Sequence, residues 1–176
     1  ITPGAVMNAL FPRFAALERD PIELRRVLLV GTFGVTALVL PPVVAVLLFG
    51  QQLLAMWIDP TFADQSHRVA EILAVGVLAN SVACVPFAYL QSTGMAHIAA
   101  IIHSIEAPLY VCALIYVAPR YGITGIAIVW TTRMIVDSLG QLSAAVGDSR
   151  RRVDGIAALA TESARGADVI EVLNGK

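Results

Sequence analysis

Four ionisable side chains stand where ionisable side chains are costly. His103, Glu106, Arg133 and Asp137 each interrupt a long apolar run. A charge at the centre of a bilayer costs about 3 kcal/mol on insertion scales, so such groups turn inward, pair or give up their charge. Arg133 and Asp137 are four residues apart and share one face of a helix. That spacing admits two readings. One is a self-contained ion pair that glues its helix to its neighbours. The other is an arginine facing a polar cavity and holding an anionic headgroup, with Asp137 as counter-ion. His103 and Glu106 form an HxxE pair on another helix face. Glu106 is then either a hydrogen-bonded structural acid or, with His103 and Asp137, a site for a coupling proton or cation. A metal needs more ligands than this pair supplies, so none is expected. Asn80, an interhelical hydrogen-bond former, joins Arg133 as a candidate contact for a polar substrate.

Other chemistries are missing from the sequence. It has no Walker loop, no GxGxxG, no HExxH and no CxxC, and no nucleophile stands beside a base. Cys84 and Cys112 fall in different apolar runs and read as small packing residues. An enzyme is not expected, nor is a cofactor.

The elements that position these residues follow from composition. Of 176 residues, 57% are hydrophobic and 14% charged, with a net charge of −1. Soluble domains carry about 45–50% and about 25% respectively. Too few charges are present to cover so much apolar side chain, and a basic nucleic-acid binder, a disordered chain and a disulfide scaffold are excluded. Residues 27–58 contain no charged side chain, and the runs 69–90, 98–118 and 123–146 contain few. About 20 apolar residues cross a bilayer as a helix. The runs are too long and too little alternating for barrel strands. The fold class is therefore all-α: a polytopic membrane helix bundle with four complete transmembrane helices and the end of a fifth. Pro41 and Pro42 fall mid-span and predict a hinge, either a fixed bend or a flexing point.

The arginines set the orientation. Arg13, Arg19, Arg25 and Arg26 precede the first complete span, and Arg150, Arg151 and Arg152 follow the last. An even number of spans puts all of them on one side, which the positive-inside rule makes cytoplasmic. The chain divides into residues 1–17 as the end of a truncated helix, 18–26 as a cytoplasmic loop, 27–146 as the four-helix bundle and 147–176 as a polar cytoplasmic tail, either loose or carrying a short surface helix. It starts on Ile1, which reads as a fragment or a truncated gene product.

Four collinear stretches carry a family resemblance. They are Leu10-Phe11-Pro12 with Arg13-Phe14-Ala15; Leu54-Ala55-Met56-Trp57-Ile58 with Phe62-Ala63; residues 72–76 through Asn80-Ser81 and Val85-Pro86 to Leu90-Gln91-Ser92-Thr93-Gly94; and Tyr121-Gly122-Ile123-Thr124-Gly125-Ile126-Ala127. Together they resemble the polysaccharide/oligosaccharide flippases of the multidrug/oligosaccharidyl-lipid/polysaccharide exporter superfamily. The resemblance implies the C-terminal lobe of a twelve-helix transporter in a bacterial inner membrane. Such a protein moves a lipid-linked glycan between leaflets by alternating access. Its implied partners are the bilayer, the lipid-linked glycan and the absent N-terminal lobe. A drug/cation antiporter or peptidoglycan-precursor flippase of the same superfamily, and a non-transporting membrane scaffold, are the alternatives.

Overall fold

The computed structural model describes the backbone of residues 3–174 and the side chains of 9–163 and 165. Among them, helix is the only regular structure. α1 is Pro3–Ala16, α2 is Pro21–Trp57, α3 is Pro60–Ser92 and α4 is Ala96–Asn174. The last three are long and apolar enough to cross a membrane. This count differs from the expected four spans plus the end of a fifth. The difference arises at residues 119–122, where a connecting loop is expected. The chain instead turns on one residue, Gly122, with φ 57° and ψ −147° inside an otherwise helical stretch. Only glycine adopts this backbone cheaply.

The turn reverses the chain. Across it, His103 meets Asp137, Glu106 meets Arg133, and Ile102 lies against Gly140. Residues 96–121 and 123–174 thus form two antiparallel legs. A second departure from helical geometry lies in α2 at Phe49 (φ −128°, ψ 16°), eight and seven residues beyond Pro41 and Pro42, which remain within the helix.

Two Asp-Pro pairs start helices. Asp20 caps α2 by accepting from the Glu23 amide at 3.1 Å, and Pro21 takes the first helical position. Asp59 accepts from the amides of Thr61 and Phe62 at 2.7 and 3.2 Å, ahead of Pro60. Proline loses nothing there, because the first helical N–H groups have no partner in the helix. The loop expected over residues 18–26 is therefore cut short, since α2 begins six residues before the uncharged run. The tail differs as well. Where a loose segment or a short surface helix is expected from residue 147, α4 continues to Asn174. Same-helix ion pairs support it, Arg152–Asp148 at 2.6 Å and Arg150–Asp154 at 3.9 Å.

α3 lies at the centre. Half of its most apolar stretch is buried by other helices, against 11% for α2 and for α4. The outer helices turn apolar side chains outward, Phe33, Leu48, Ile115 and Ile123 among them. In water such a surface would drive aggregation; in lipid it is solvated. α3 and α4 approach closely at Gly76, where an added Cβ would collide with the Trp130 ring. Two hydroxyls fasten the contact: Thr131 Oγ1 donates to the Ile72 carbonyl at 2.9 Å, and Ser138 Oγ to that of Ala79 at 2.5 Å.

The densest packing is at one end. Phe14, Leu24, Leu28, Val85, Tyr89 and Leu90 form a buried cluster there. Phe14 and Tyr89 meet edge to face at 5.7 Å. The Tyr89 hydroxyl donates to Asp148 Oδ2 at 2.9 Å, and Arg152 Nε donates to the same oxygen. Val153 lines a cleft with Arg25 and Arg26. The chain therefore returns to the end where α2 began, and the arginines on both sides of the bundle sequence gather there.

Candidate functional site

The four ionisable residues singled out in the apolar runs come together between the legs of α4. His103 and Glu106 lie on the first leg, Arg133 and Asp137 on the second. His103 Nδ1 is 3.6 Å from Asp137 Oδ1 and 3.8 Å from Glu106 Oε2. Arg133 Nε is 3.8 Å from Glu106 Oε2. The reversal at Gly122 sets this register, because it lays the turn carrying Glu106 beside the turn carrying Arg133.

The pairing differs from the self-contained Arg133–Asp137 pair read from the four-residue spacing. Arg133 turns to Glu106 on the other leg. Asp137 instead accepts from the amide of Gln141, one turn on, at 2.8 Å. The Arg133 guanidinium also lies 4.8 Å from the centre of the Tyr110 ring, a cation–π contact that suits an arginine removed from water.

Burial is uneven. The Asp137 and Glu106 side chains are 9% and 11% exposed, those of Arg133 and His103 29% and 41%. The carboxylates are thus the inner groups and the cations the outer ones. The inter-leg separations of 3.6–3.8 Å exceed hydrogen-bond length, so Coulomb attraction holds Arg133 to Glu106. Both Glu106 oxygens, His103 Nδ1, Arg133 Nε and Gln141 Oε1 are buried with no hydrogen-bond partner among the described residues.

With both carboxylates ionised, two negative charges face one guanidinium and one negative charge is left over. Opposite charges about 4 Å apart attract by about 4 kcal/mol at an effective dielectric of 20. That offsets the insertion cost of about one of the three charges, and the second carboxylate adds its own. A single positive charge between His103, Glu106 and Asp137 would restore neutrality. His103, Glu106 and Asp137 also place three ligand-type atoms within 4.8 Å of one another. Asp137 is the third member, which the HxxE spacing does not supply. A divalent metal would there compete with the Arg133 guanidinium for Glu106, so the set is better matched to a single positive charge.

Two clefts flank the cluster. One, of about 220 Å³, is lined by Asn80, Cys84, Phe87, His103, Asp137 and Gln141. Asn80 thus shares a cleft with His103 and Asp137. The other, of about 290 Å³, is mostly apolar and reaches Glu106, Tyr110 and Arg133. Pro41 and Pro42 lie on α2 and line neither cleft. Sequence reasoning missed Gln141, Tyr110 and Phe87. The first two stand four residues after Asp137 and Glu106, a spacing that signals a shared helix face. Phe87, whose ring centre is 6.3 Å from that of His103, is on a different helix and left no such signal.

No profile of a known protein family matches the chain, and no solved structure matches it. It is similar to a Shigella flexneri protein named "Putative O-antigen transporter", with 30% identity over 139 residues. The match covers 79% of this chain and 33% of that protein, so the chain spans about a third of the length of the curated relative it matches. Three apolar helices of crossing length and this transporter relative make the chain a membrane protein.

Proposed function

We propose that this chain serves in moving a lipid-linked polysaccharide precursor across the cytoplasmic membrane of a bacterium by alternating access, as a transporter and not as an enzyme. The observation that carries the reading is the 30% identity to the O-antigen transporter over four-fifths of the chain. In this reading α2, α3 and the two legs of α4 are four crossings. The arginine end and the distal part of α4 then lie in the cytoplasm, and the chain corresponds in this reading to the C-terminal part of a flippase of the exporter superfamily.

The chemistry assigned to the cluster is charge exchange. Its surplus negative charge takes up one proton or monovalent cation, with His103 between Glu106 and Asp137 as the receiving group. Binding there draws the legs of α4 together; release lets the carboxylates repel. Arg133 and Asn80, at the mouths of the two clefts, are the groups offered to a diphosphate or a sugar hydroxyl. Pro41 and Pro42 leave α2 two unmade backbone hydrogen bonds at mid-helix, where it can bend as the cavity changes sides.

The test is export in the native host, with substitutions in the chromosomal gene. Glu106→Gln and Asp137→Asn each remove a carboxylate while keeping shape, and each should cut export of the polysaccharide at least tenfold at unchanged protein level. Wild-type export from either variant removes the cluster from the mechanism. Normal polysaccharide in a strain lacking the gene removes the transport reading itself.

A further inference from the structure

The arginine end carries a second constellation that the proposed transport does not use. Two clefts flank the first turns of α2 and share Arg26 and Val30. One, of about 350 Å³, lies toward α1 and brings in Arg13. The other, of about 380 Å³, lies toward the distal part of α4 and brings in Arg25 and Val153. Each therefore joins two guanidinium groups to apolar walls, and the first also holds the Glu23 carboxylate, which is engaged with Arg26.

These guanidinium groups are underused by the protein. Among the described residues no carboxylate lies within 4 Å of Arg13 or Arg25, and Arg25 Nε is buried without a hydrogen-bond partner. Arg26 has only a 3.4 Å contact to Glu23. The nearby acid Asp148 is already taken by Tyr89, Arg151 and Arg152. Arg25 and Arg26 stand immediately before the uncharged run that starts at residue 27, which is headgroup depth for a helix entering a bilayer. Above them Leu29, Val30 and Phe33 turn outward, exposed by 43%, 63% and 77%. A forked cation below an exposed apolar strip matches a molecule with a phosphate at one end and acyl chains at the other.

We infer that the clefts beside Arg13, Arg25 and Arg26 bind the headgroup of an anionic phospholipid of the surrounding bilayer, its phosphate held by the guanidinium groups and its acyl chains lying along Leu29, Val30 and Phe33. Basic pockets between membrane helices take such headgroups by the same chemistry. The site is about one membrane leaflet away from the His103–Asp137 cluster along the helices, and its occupancy does not depend on what the protein transports.

The experiment is native mass spectrometry of the protein purified in detergent from its own membranes and offered equal amounts of phosphatidylglycerol and phosphatidylcholine. Phosphatidylglycerol adducts should outnumber phosphatidylcholine adducts at least tenfold. Arg13→Gln/Arg25→Gln should bring the ratio to within twofold of unity with helicity unchanged. Arg150→Gln/Arg151→Gln, which removes the same charge from the same end, should leave it within twofold of wild type. Equal retention of both lipids by the wild type overturns the inference. So does an equal loss in the two variants, which would mean diffuse attraction with no built site. A polyprenyl diphosphate that displaces phosphatidylglycerol at equimolar concentration would assign the clefts to a transported lipid and overturn the choice of a bilayer phospholipid.

Discussion

At the scale of single residues, Gly76 tolerates little. A Cβ there collides with the Trp130 ring on the facing helix. Gly76→Ala should destabilise the protein by about 1–3 kcal/mol, the usual cost of overpacking. Unfolding in mixed micelles measures it, and Trp130→Ala in the same chain should restore part of the loss. An equal loss with and without Trp130 would place the strain elsewhere. Tyr89→Phe is the milder counterpart. It deletes the hydroxyl that donates to Asp148 but leaves that carboxylate its Arg152 partner. The expected loss is about 1 kcal/mol, one net hydrogen bond, read in the same unfolding measurement.

Among the elements, the reversal at Gly122 decides the most. Without it, residues 102 and 140 would stand about 57 Å apart on a straight helix. With it, Ile102 and Gly140 touch. Cysteines placed at 102 and 140, in a chain whose Cys84 and Cys112 are replaced by alanine, should therefore cross-link on mild oxidation; failure to do so would mean that α4 does not fold back. Gly122→Val should lower the yield of cross-link, because a β-branched residue at φ 57°, ψ −147°, a conformation open almost only to glycine, costs about 1–3 kcal/mol.

This element also shows what the sequence could and could not tell. The apolar runs on either side of the turn were legible from charge spacing alone; the capping of α2 and α3 by Asp20 and Asp59 was not. The register of the two legs was not. It depends on how tightly one glycine closes the turn, and a change of one residue there would give Arg133 another neighbour. The Arg133–Asp137 spacing described a helix face correctly, but it named the wrong partner because pairing is settled between helices. The start of α2 differs for a related reason: the charges of residues 18–26 read as loop, although a helix capped by Asp20 can carry charge before it enters lipid.

The molecule as a whole is firm at one end and open at the other. The Phe14–Tyr89 cluster ties four helices together beside the arginines, while Met56 and Trp57 at the far end are 84% and 82% exposed. Such a body needs an apolar solvent. Moved from detergent into plain buffer, the purified protein should aggregate, as light scattering would show; a monodisperse particle would contradict the membrane assignment. The second leg of α4 runs without a break from the buried carboxylate at Asp137 to Asn174. From residue 147 onward that is about 40 Å of rod at 1.5 Å per residue. The rod is a pointer fixed to the charge site: a tilt of about 10° at the buried part swings its tip by about 7 Å. A charge change at Asp137 that tilted this helix would thereby be written out at its far end as a displacement large enough for a neighbouring molecule to feel.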